Sequence, residues 1–309
     1  MDTYYTQIEW YAKCTKINTF NGLGRNGQLY YLDQNKDCDV VKLDYLQFVL
    51  NQDVSVHSFI EMITGLSFVV KIDESVIWNI KIDFMCCLEP CKKHGNSIFV
   101  KIPDYLIQDI KVVCIEFHSI KYNIEYDTNI FSYEIGILPH ETSILTYEIK
   151  LIYHTTCLST YTRRDISYKQ HKIPIQQLQT IDFNLQESVL TIEKPCLFKY
   201  TSKGYFVQGN IDKLVGFELL SNGYSRISYN IDLIKLYCFK ISDRLLYISF
   251  ENINNIKDVH LESFRGGFDQ ILYKNIVAKL TFSEPQKRCS IHSLTYNILE
   301  YNHGMVKII

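Results

Sequence analysis

The chain has 309 residues, of which 47% are apolar and 21% are charged, and its 32 basic and 34 acidic side chains nearly cancel. These values exclude an intrinsically disordered chain and a generally basic nucleic-acid-binding protein, so no specific nucleic acid is expected as a partner. With 13 Gly and 6 Pro against 23 Tyr and 17 Phe, the composition excludes long flexible linkers and favours β-strands. At about 150 residues per domain, the length predicts two domains or one large β domain.

Three glycines near the N-terminus, Gly22, Gly24 and Gly27, have the spacing of a dinucleotide-binding loop. Such a loop must open a helix whose N-terminus holds the pyrophosphate. Residues 28–33, which follow, instead have the character of a strand. A glycine-rich turn is therefore favoured over a cofactor loop, and no cofactor is expected.

The clearest periodicity lies in residues 68–84, where apolar side chains recur at every second position. They are Phe68, Val70, Ile72, Val76, Trp78, Ile80, Ile82 and Phe84. Because side chains alternate across a strand, this pattern places one face in a core and the other in solvent. The polar residues Asp73, Glu74 and Ser75 predict a turn midway, and therefore a hairpin of two strands.

Residues 112–126 also alternate, but the alternation changes phase at His118. A slip of one residue is typical of a β-bulge or of a strand that switches sheets. Further alternation predicts strands within residues 147–153, 246–250, 276–282 and 294–298.

Helical spacing is weaker and is confined to residues 44–51 and 165–179, and Pro174 interrupts the second segment. Many strands with few helices predict an all-β protein, and at this length two β-sandwiches in tandem. The polar residues 160–179 are the predicted boundary between them.

Ten cysteines are scattered along the chain, and Cys86, Cys87, Cys91 and His94 form a local group. Zinc prefers four thiolate or imidazole ligands, but no second pair at finger spacing follows, so buried thiols are favoured over a metal site. The chain shows no signal sequence, no apolar run of about 18 residues and no N-glycosylation acceptor. We therefore expect synthesis in a reducing compartment, mainly reduced thiols, no bound metal and no transmembrane segment.

Glu116 and His118 share one parity of the strand pattern and could form half of a general-base arrangement. The sequence contains no G-x-S-x-G, H-E-x-x-H or phosphate-loop motif that would supply a nucleophile or a metal. A structural polar pair is favoured, and no enzymatic activity is expected.

The densest basic stretch consists of Arg163, Arg164, Lys169, His171 and Lys172. It could contact phosphate or an acidic partner. A solvated face at a domain junction is the alternative, and the more ordinary one.

Four segments, in the same order along the chain, resemble the major capsid proteins of nucleocytoplasmic large DNA viruses. The first is residues 112–120, which resemble a family strand that keeps an aromatic-His pair. The third and fourth are residues 219–226, which resemble an N-G-x-x-R turn, and residues 296–305, which resemble Y-N-V-L-R-I-x-x-G-M.

The second segment resembles the family stretch L-D-x-x-E-R-R-x-F followed by H-E-Y-L-I-E-Q-L-Q. The matching residues are Leu158, Arg163, Arg164, Ile166, His171, Ile175, Gln177, Leu178 and Gln179. Ser159, Thr162 and Pro174 depart from this pattern.

The resemblance implies a double jelly roll, two eight-stranded sandwiches in tandem, which we place at residues 1–175 and 176–309. It implies pseudo-hexagonal homotrimers that tile an icosahedral shell in the virion, after synthesis and assembly in the host cytoplasm. The expected partners are further copies of the chain, neighbouring capsid subunits or minor capsid proteins. A major capsid protein, a minor paralogue and a scaffold all fit, and a lectin-like β-sandwich attachment protein is the alternative.

The junction between the two sandwiches is the predicted assembly site, with Arg163, Arg164, His171, Gln177 and Gln179 as its residues. The last strand of the first sandwich is expected to end near His154, and the second sandwich is expected to begin near Thr180. A planar guanidinium can bridge carbonyls and carboxylates where Lys cannot. Loss of Arg163 or Arg164 is therefore expected to leave each sandwich folded but to impair assembly.

Overall fold

The structure of the protein is a computed structural model that describes residues 10–19, 29–31, 39–115, 118–126, 147–183, 188–193, 201–250, 268–269, 275–285 and 288–308. The glycine motif at Gly22, Gly24 and Gly27 and the side chain of Glu116 lie outside these residues. Their predicted roles stay predictions.

The first part of the described chain is built mainly of strands. They are β1 (Trp10–Thr19), β2 (Leu29–Tyr31), β3 (Val40–Leu50), β4 (Leu66–Ile72), β5 (Ser75–Lys81), β6 (Lys92–His94), β7 (Ser97–Lys101), β8 (Ile120–Tyr126) and β9 (Tyr147–Leu158). Two helices, α1 (Val56–Met62) and α2 (Ile82–Leu88), and one 3-10 turn at Val112–Cys114 interrupt them.

The second part follows helix α3 (Thr160–Tyr168) and repeats the arrangement. Its strands are β10 (His171–Phe183), β11 (Val189–Glu193), β12 (Thr201–Gln208), β13 (Leu214–Ser221), β14 (Tyr224–Asn230), β15 (Cys238–Ser242), β16 (Leu245–Ser249), β17 (Phe268–Asp269), β18 (Ile276–Phe282), β19 (Cys289–Asn302) and β20 (Met305–Ile308). Helix α4 (Ile231–Tyr237) lies between β14 and β15, and a 3-10 turn at Ile211–Lys213 precedes β13.

Hydrogen-bonded strand order defines the fold. In the first part the sheets run β1-β9-β3-β7-β6 and β2-β8-β4-β5, and in the second part β10-β19-β12-β16-β15 and β11-β18-β13-β14. If β6 and β15 are set aside as extra edge strands, and β17 and β20 as short additions, each part has eight strands in the order 1-8-3-6 and 2-7-4-5. This order is that of a jelly roll, so the predicted all-β double jelly roll is confirmed.

Two compact units emerge from the distribution of contacts along the chain. The first comprises Met1–Ile175 and Ile298–Ile309, and the second comprises Gln176–Asn297. The last residues therefore belong to the first compact unit, whereas the sequence analysis places them in the second jelly roll.

Each unit has its own apolar core. In the first, the rings of Phe48 in β3 and Phe59 in α1 meet edge to face at 5.0 Å, and both side chains are fully buried. In the second, Tyr205, Phe217 and Phe250 form an aromatic cluster within the core. Full burial of such a side chain contributes about 1.5–3 kcal/mol, so these rings are major contributors to the stability of each unit.

One glycine of the second unit is required by close packing. A Cβ on Gly204 in β12 would lie 2.4 Å from the carbonyl oxygen of Ile248 and 2.7 Å from the ring of Tyr247. The tyrosine ring can cross the strand only because no side chain is present there.

The helical interpretation of residues 44–51 is wrong, because residues 44–50 lie in β3. A register shift between Leu43 and Tyr45 in the pairing of β3 with β9 marks a bulge. Buried positions therefore step by three, from Leu43 to Leu46, before alternation resumes at Phe48. That single step imitates helical spacing.

The helical interpretation of residues 165–179 is correct only for residues 165–168. Helix α3 ends at Tyr168, and strand β10 starts at His171. The expected strand limits at His154 and Thr180 are also wrong, because β9 continues to Leu158. Pro174 is tolerated because it lies near the start of β10, which is the outermost main strand of its sheet.

The 68–84 hairpin is confirmed from β4 to β5, with Asp73 in the turn at φ +52°. Two of its expected inward residues, Ile82 and Phe84, instead open helix α2, and Val76 is exposed because the β4–β5 register shifts at Val70. The described residues 112–115 likewise do not form the expected strand. There the Ile115 N–H donates to the Val112 carbonyl and closes a 3-10 turn, and β8 begins only at Ile120.

Candidate assembly sites

Helix α3 presents the two adjacent arginines. It begins after Ser159, whose hydroxyl accepts a hydrogen bond from the Thr162 N–H at 3.3 Å, as expected of an N-cap. Successive residues of a helix point about 100° apart. Arg163 and Arg164 therefore face different surroundings, although they are neighbours in sequence.

Arg163 binds a buried carboxylate. Its Nε lies 2.7 Å from Oδ1 of Asp39, whose side chain is 3% exposed. The N–H does not point squarely at this oxygen, so the contact is a close ion pair rather than an aligned hydrogen bond. The guanidinium itself is about half exposed, and solvent therefore screens part of the attraction.

Asp39 connects four segments of the first unit. Its Oδ2 accepts from the Leu158 N–H at 2.6 Å, at the end of β9, and its own N–H donates to the Thr156 carbonyl. The Asp39 carbonyl accepts from the Val113 N–H in the 3-10 turn. Arg163 thereby fastens α3 to the points where β9 ends and β3 begins.

Arg164 faces outward beside Tyr161, whose side chain is 83% exposed. Among the residues that the structure describes, none is found to bind the Arg164 guanidinium. The rest of the basic stretch is paired: Lys169 binds Asp165 at 2.6 Å and Lys172 lies 3.4 Å from Glu300. The positive charge of this stretch is therefore largely balanced by acidic side chains, and Arg164 is exposed to solvent.

His171 forms a hydrogen bond with the C-terminal turn of α3. Its Nε2–H donates to the Ile166 carbonyl at 2.9 Å, and the Cys114 thiol reaches the same oxygen at 3.7 Å. Burial lowers the pKa of His171, and the positive charges of Lys111 and Lys169 lower it further, against the opposing effect of the Ile166 hydrogen bond. The neutral imidazole is thus the form that this site favours.

A carboxylate on β19 joins the start of β10 to the last strand. Glu300 accepts from Gln170 and from Lys307, whose Nζ lies 2.8 Å away. The Lys307 hydrogen bond is the main cause of its lowered pKa. The Glu300 side chain is 5% exposed, whereas Lys172 and Lys307 are largely exposed.

Gln177 and Gln179 do not share the arginine site. Gln177 Oε1 accepts from Asn297 Nδ2 at 2.9 Å, and its carbonyl accepts from the Thr295 hydroxyl at 3.2 Å. Gln179 is half-buried further along β10. Of the five predicted residues, Arg163, Arg164 and His171 are linked through α3, and Gln177 is used inside the second unit.

A buried polar row in the second unit was missed by the sequence analysis. His292, which is fully buried, lies 2.7 Å through Nδ1 from the Thr180 hydroxyl and 2.8 Å through Nε2 from Gln208 Oε1. Both ring nitrogens are used, so β10, β19 and β12 are held in one register. No sequence signal links these three positions.

Exposed apolar side chains lie on helix α4 and at the start of the strand after it. We call them the α4 face and define it by Ile231, Leu236 and Tyr237 of the helix and Phe239 of β15. Their side chains are 39–52% exposed, and within the helix only Ile234 is buried. Of these four, Ile231 also lines a groove of about 290 Å³, which contains the charged side chains of Asp212, Lys235 and Lys240 as well as apolar ones. Contiguous exposed apolar surface is typical of interaction sites. The signal in the sequence is a short helix with apolar residues all round, which one core cannot cover.

His118 pairs with Asp73. The Asp73 carboxylate also accepts from the Ser119 N–H at 2.8 Å, and these hydrogen bonds, that of His118 foremost, lower the pKa of Asp73. The group fixes the β4–β5 turn against the start of β8. This is a structural polar pair with a carboxylate other than Glu116.

Cys86 and Cys87 lie on α2 and Cys91 follows it. Within the described ranges, no three His, Cys, Asp or Glu side chains come together as a metal would require. A search of the same ranges finds no helix with the length and apolar character needed to span a membrane.

Two tandem jelly rolls with the same strand order define a double jelly-roll protein. Neither a known protein-family model nor a curated protein sequence matches the chain. Solved structures do match. A chain of the PBCV-1 virus capsid is 12% identical, with a TM-score of 0.66 and 99% of both chains covered. The Faustovirus major capsid protein is 7% identical, with a TM-score of 0.57 and 98% of this chain and 92% of that one covered.

A chain of the Sputnik virophage structure is 8% identical, with a TM-score of 0.55 and coverage of 97% and 88%. At these identities the likeness establishes the fold. It confirms the double jelly roll that the four sequence segments imply.

Proposed function

We propose that the protein is a non-catalytic capsid subunit. The observation that carries the proposal is the repeated 1-8-3-6 and 2-7-4-5 strand order, which matches viral capsid proteins over nearly the whole length of both chains. Fold alone does not define function. Here it is joined by four ordered sequence segments and by polar clusters that serve structural roles.

The proposed assembly is a homotrimer. Three chains present six similar sandwiches around one axis, so a threefold particle has a nearly hexagonal outline and can tile a shell. Neighbouring trimers and minor capsid proteins are the partners, and the virion is the location. Obligate contacts of this kind bury more than roughly 2,000 Å² each.

Two surfaces are proposed to carry the contacts between copies. One is the outer face of α3 with Tyr161 and Arg164, and the other is the α4 face. Tyrosine and arginine are enriched in the centres of protein interfaces. Apolar side chains left in water at the α4 face would gain free energy on association.

The experiment compares two charge insertions on exposed positions of the second unit. Leu236→Asp lies on the α4 face, and Tyr224→Asp, at the tip of the β13–β14 hairpin, is the matched control with 72% exposure. Light scattering should show trimers for wild type and Tyr224→Asp, and monomers for Leu236→Asp with unchanged circular dichroism. If Leu236→Asp forms as much trimer as wild type, the α4 face does not contribute to the contacts between copies.

Copy number distinguishes the major from the minor role. The principal shell subunit is expected to be the most abundant protein of a purified particle, whereas a minor capsid protein is expected in far fewer copies. Quantitative mass spectrometry of purified particles would separate the two, and absence from particles would contradict a capsid role.

A further inference from the structure

Two exposed charges of opposite sign lie on helices of different units. Arg164 is on α3, and Asp232 is in the first turn of α4. Within the described ranges, neither side chain is found in an ion pair. By contrast, Arg163 is bound by Asp39, and Lys240 of β15 lies within 3.2 Å of two carboxylates. The charges of Arg164 and Asp232 are therefore available to another molecule.

Each of these charges has an exposed apolar or aromatic side chain beside it. Residues three or four positions apart are neighbours on one face of a helix. Tyr161, three residues before Arg164, is 83% exposed, and Leu236, four residues after Asp232, is 52% exposed. The buried residue of α4, Ile234, is two positions from both Asp232 and Leu236, about 200° around the helix. Asp232 and Leu236 therefore face solvent together.

We propose that the outer face of α3 in one copy binds the α4 face and the adjoining Asp232 of the next copy. Arg164 pairs with Asp232, and the Tyr161 ring packs on Leu236. The inference rests on the proposed trimer. A ring of three identical chains is closed by contacts between two different patches of each chain. These two patches lie on different units and have opposite charge, so each copy supplies one of each to its two neighbours.

The chemistry of the pair suits a contact that must hold a fixed angle. A guanidinium and a carboxylate form two parallel hydrogen bonds, which set direction as well as distance. Their attraction strengthens when apolar groups exclude water, as Tyr161 and Leu236 would here. Lys235, the other charged residue of α4, lines the groove together with Asp212. Asp232 is thus the acidic group beside Leu236 on the outer side of the helix.

The test reverses the two charges singly and together in the full-length protein. Arg164→Glu and Asp232→Arg each place like charges at every contact, whereas the double variant restores opposite charges at all three. Native mass spectrometry of mixed heavy and light isotope-labelled protein measures subunit exchange. Each single reversal should speed exchange by at least about tenfold or yield monomers, and the double variant should return to within about threefold of wild type.

Asp243→Arg is the matched control, because it makes the same charge change on a side chain that is 94% exposed and lies outside α4. It should exchange subunits like wild type, and it should not rescue Arg164→Glu. Such a result separates a specific pairing from a restored net charge. Circular dichroism of every variant should match wild type, since all the altered side chains are exposed.

Two results would overturn the pairing and leave the trimer standing. One is exchange at the wild-type rate in both single reversals, and the other is a double variant that exchanges as fast as the single ones. Rescue of Arg164→Glu by Asp243→Arg would also overturn it. A monomeric wild type would contradict the proposed trimer itself, and the pairing with it.

Discussion

Between its fifth and sixth main strands, each jelly roll carries a seven-residue helix and an extra edge strand: α2 with β6 in the first, and α4 with β15 in the second. Five residues of α2 are buried, from Ile82 to Cys86, whereas only Ile234 is buried in α4. The first unit places α1 between its third and fourth strands, where α1 packs on α2. The second unit has only a 3-10 turn at Ile211–Lys213 there.

The helix after the fifth main strand is therefore part of the core in the first jelly roll and part of the surface in the second. In the first unit the chain supplies its own cover for the helix. In the second it leaves apolar side chains that a neighbouring molecule can cover. Stability and assembly should therefore respond to substitutions in different halves of the chain.

The largest expected effect comes from truncating a covered residue. Phe84→Ala on α2 should lower the free energy of unfolding by about 3–5 kcal/mol, because a fully buried ring leaves a cavity. Leu236→Ala on α4 should change it by less than about 0.5 kcal/mol, because the side chain is already half exposed. Urea denaturation measures both, and equal losses would contradict the contrast between the helices.

A second effect concerns the buried carboxylate that the α3 site depends on. Asp39→Ala should lower the free energy of unfolding by about 2–3 kcal/mol, because it removes the acceptor of the Leu158 N–H and the partner of Arg163. Asp39→Asn keeps an acceptor oxygen for the Leu158 N–H, so it should lower the free energy of unfolding by about half as much as Asp39→Ala. Chemical denaturation of the two variants tests this, and an unchanged midpoint for Asp39→Ala would show that the carboxylate is dispensable.

The two arginines sharpen the comparison within a single helix. Arg163→Ala should lower the free energy of unfolding by about 1–2 kcal/mol, because Asp39 stays buried without its cation. Arg164→Ala should leave stability unchanged and reduce trimer yield. Thermal melting together with size-exclusion chromatography separates the two effects. If Arg164→Ala assembles normally, Arg164 belongs to a solvated face.

The smallest expected effect is a pH dependence at His171. Its pKa is lowered in the folded protein, so the unfolded chain binds the proton more readily, and stability should fall as the pH drops below about 6.5. His171→Gln cannot titrate, and it should lose less stability between pH 7 and pH 5 than wild type. Thermal melting of both proteins at pH 7 and pH 5 measures this loss. An equal fall in melting temperature for wild type and His171→Gln would contradict the prediction.

Strand alternation made much of the fold predictable. Residues 276–282 coincide with β18, and the turn at Asp73 falls between β4 and β5. Prediction failed where a bulge changed the spacing, as in β3, and where alternation continued into a helix, as at Ile82 and Phe84. In residues 44–51 the local pattern does not distinguish a register shift in a strand from the spacing of a helix.

The candidate sites were less predictable than the strands. Arg163 was identified as a bridging residue, but its partner Asp39 lies 124 positions earlier, and no local pattern joins them. The same is true of His118 with Asp73 and of His292 with Thr180. Pairing of distant side chains is decided by the topology of the jelly rolls, which the sequence indicates only as a fold class.

The oligomeric state in solution tests the central claim most directly. Purified protein at micromolar concentration, measured by sedimentation velocity or light scattering, should have three times the mass of one chain. It should keep that mass on dilution, as an obligate interface requires. A protein that stays monomeric at every concentration, and forms no threefold contact in any assembly, would contradict the account.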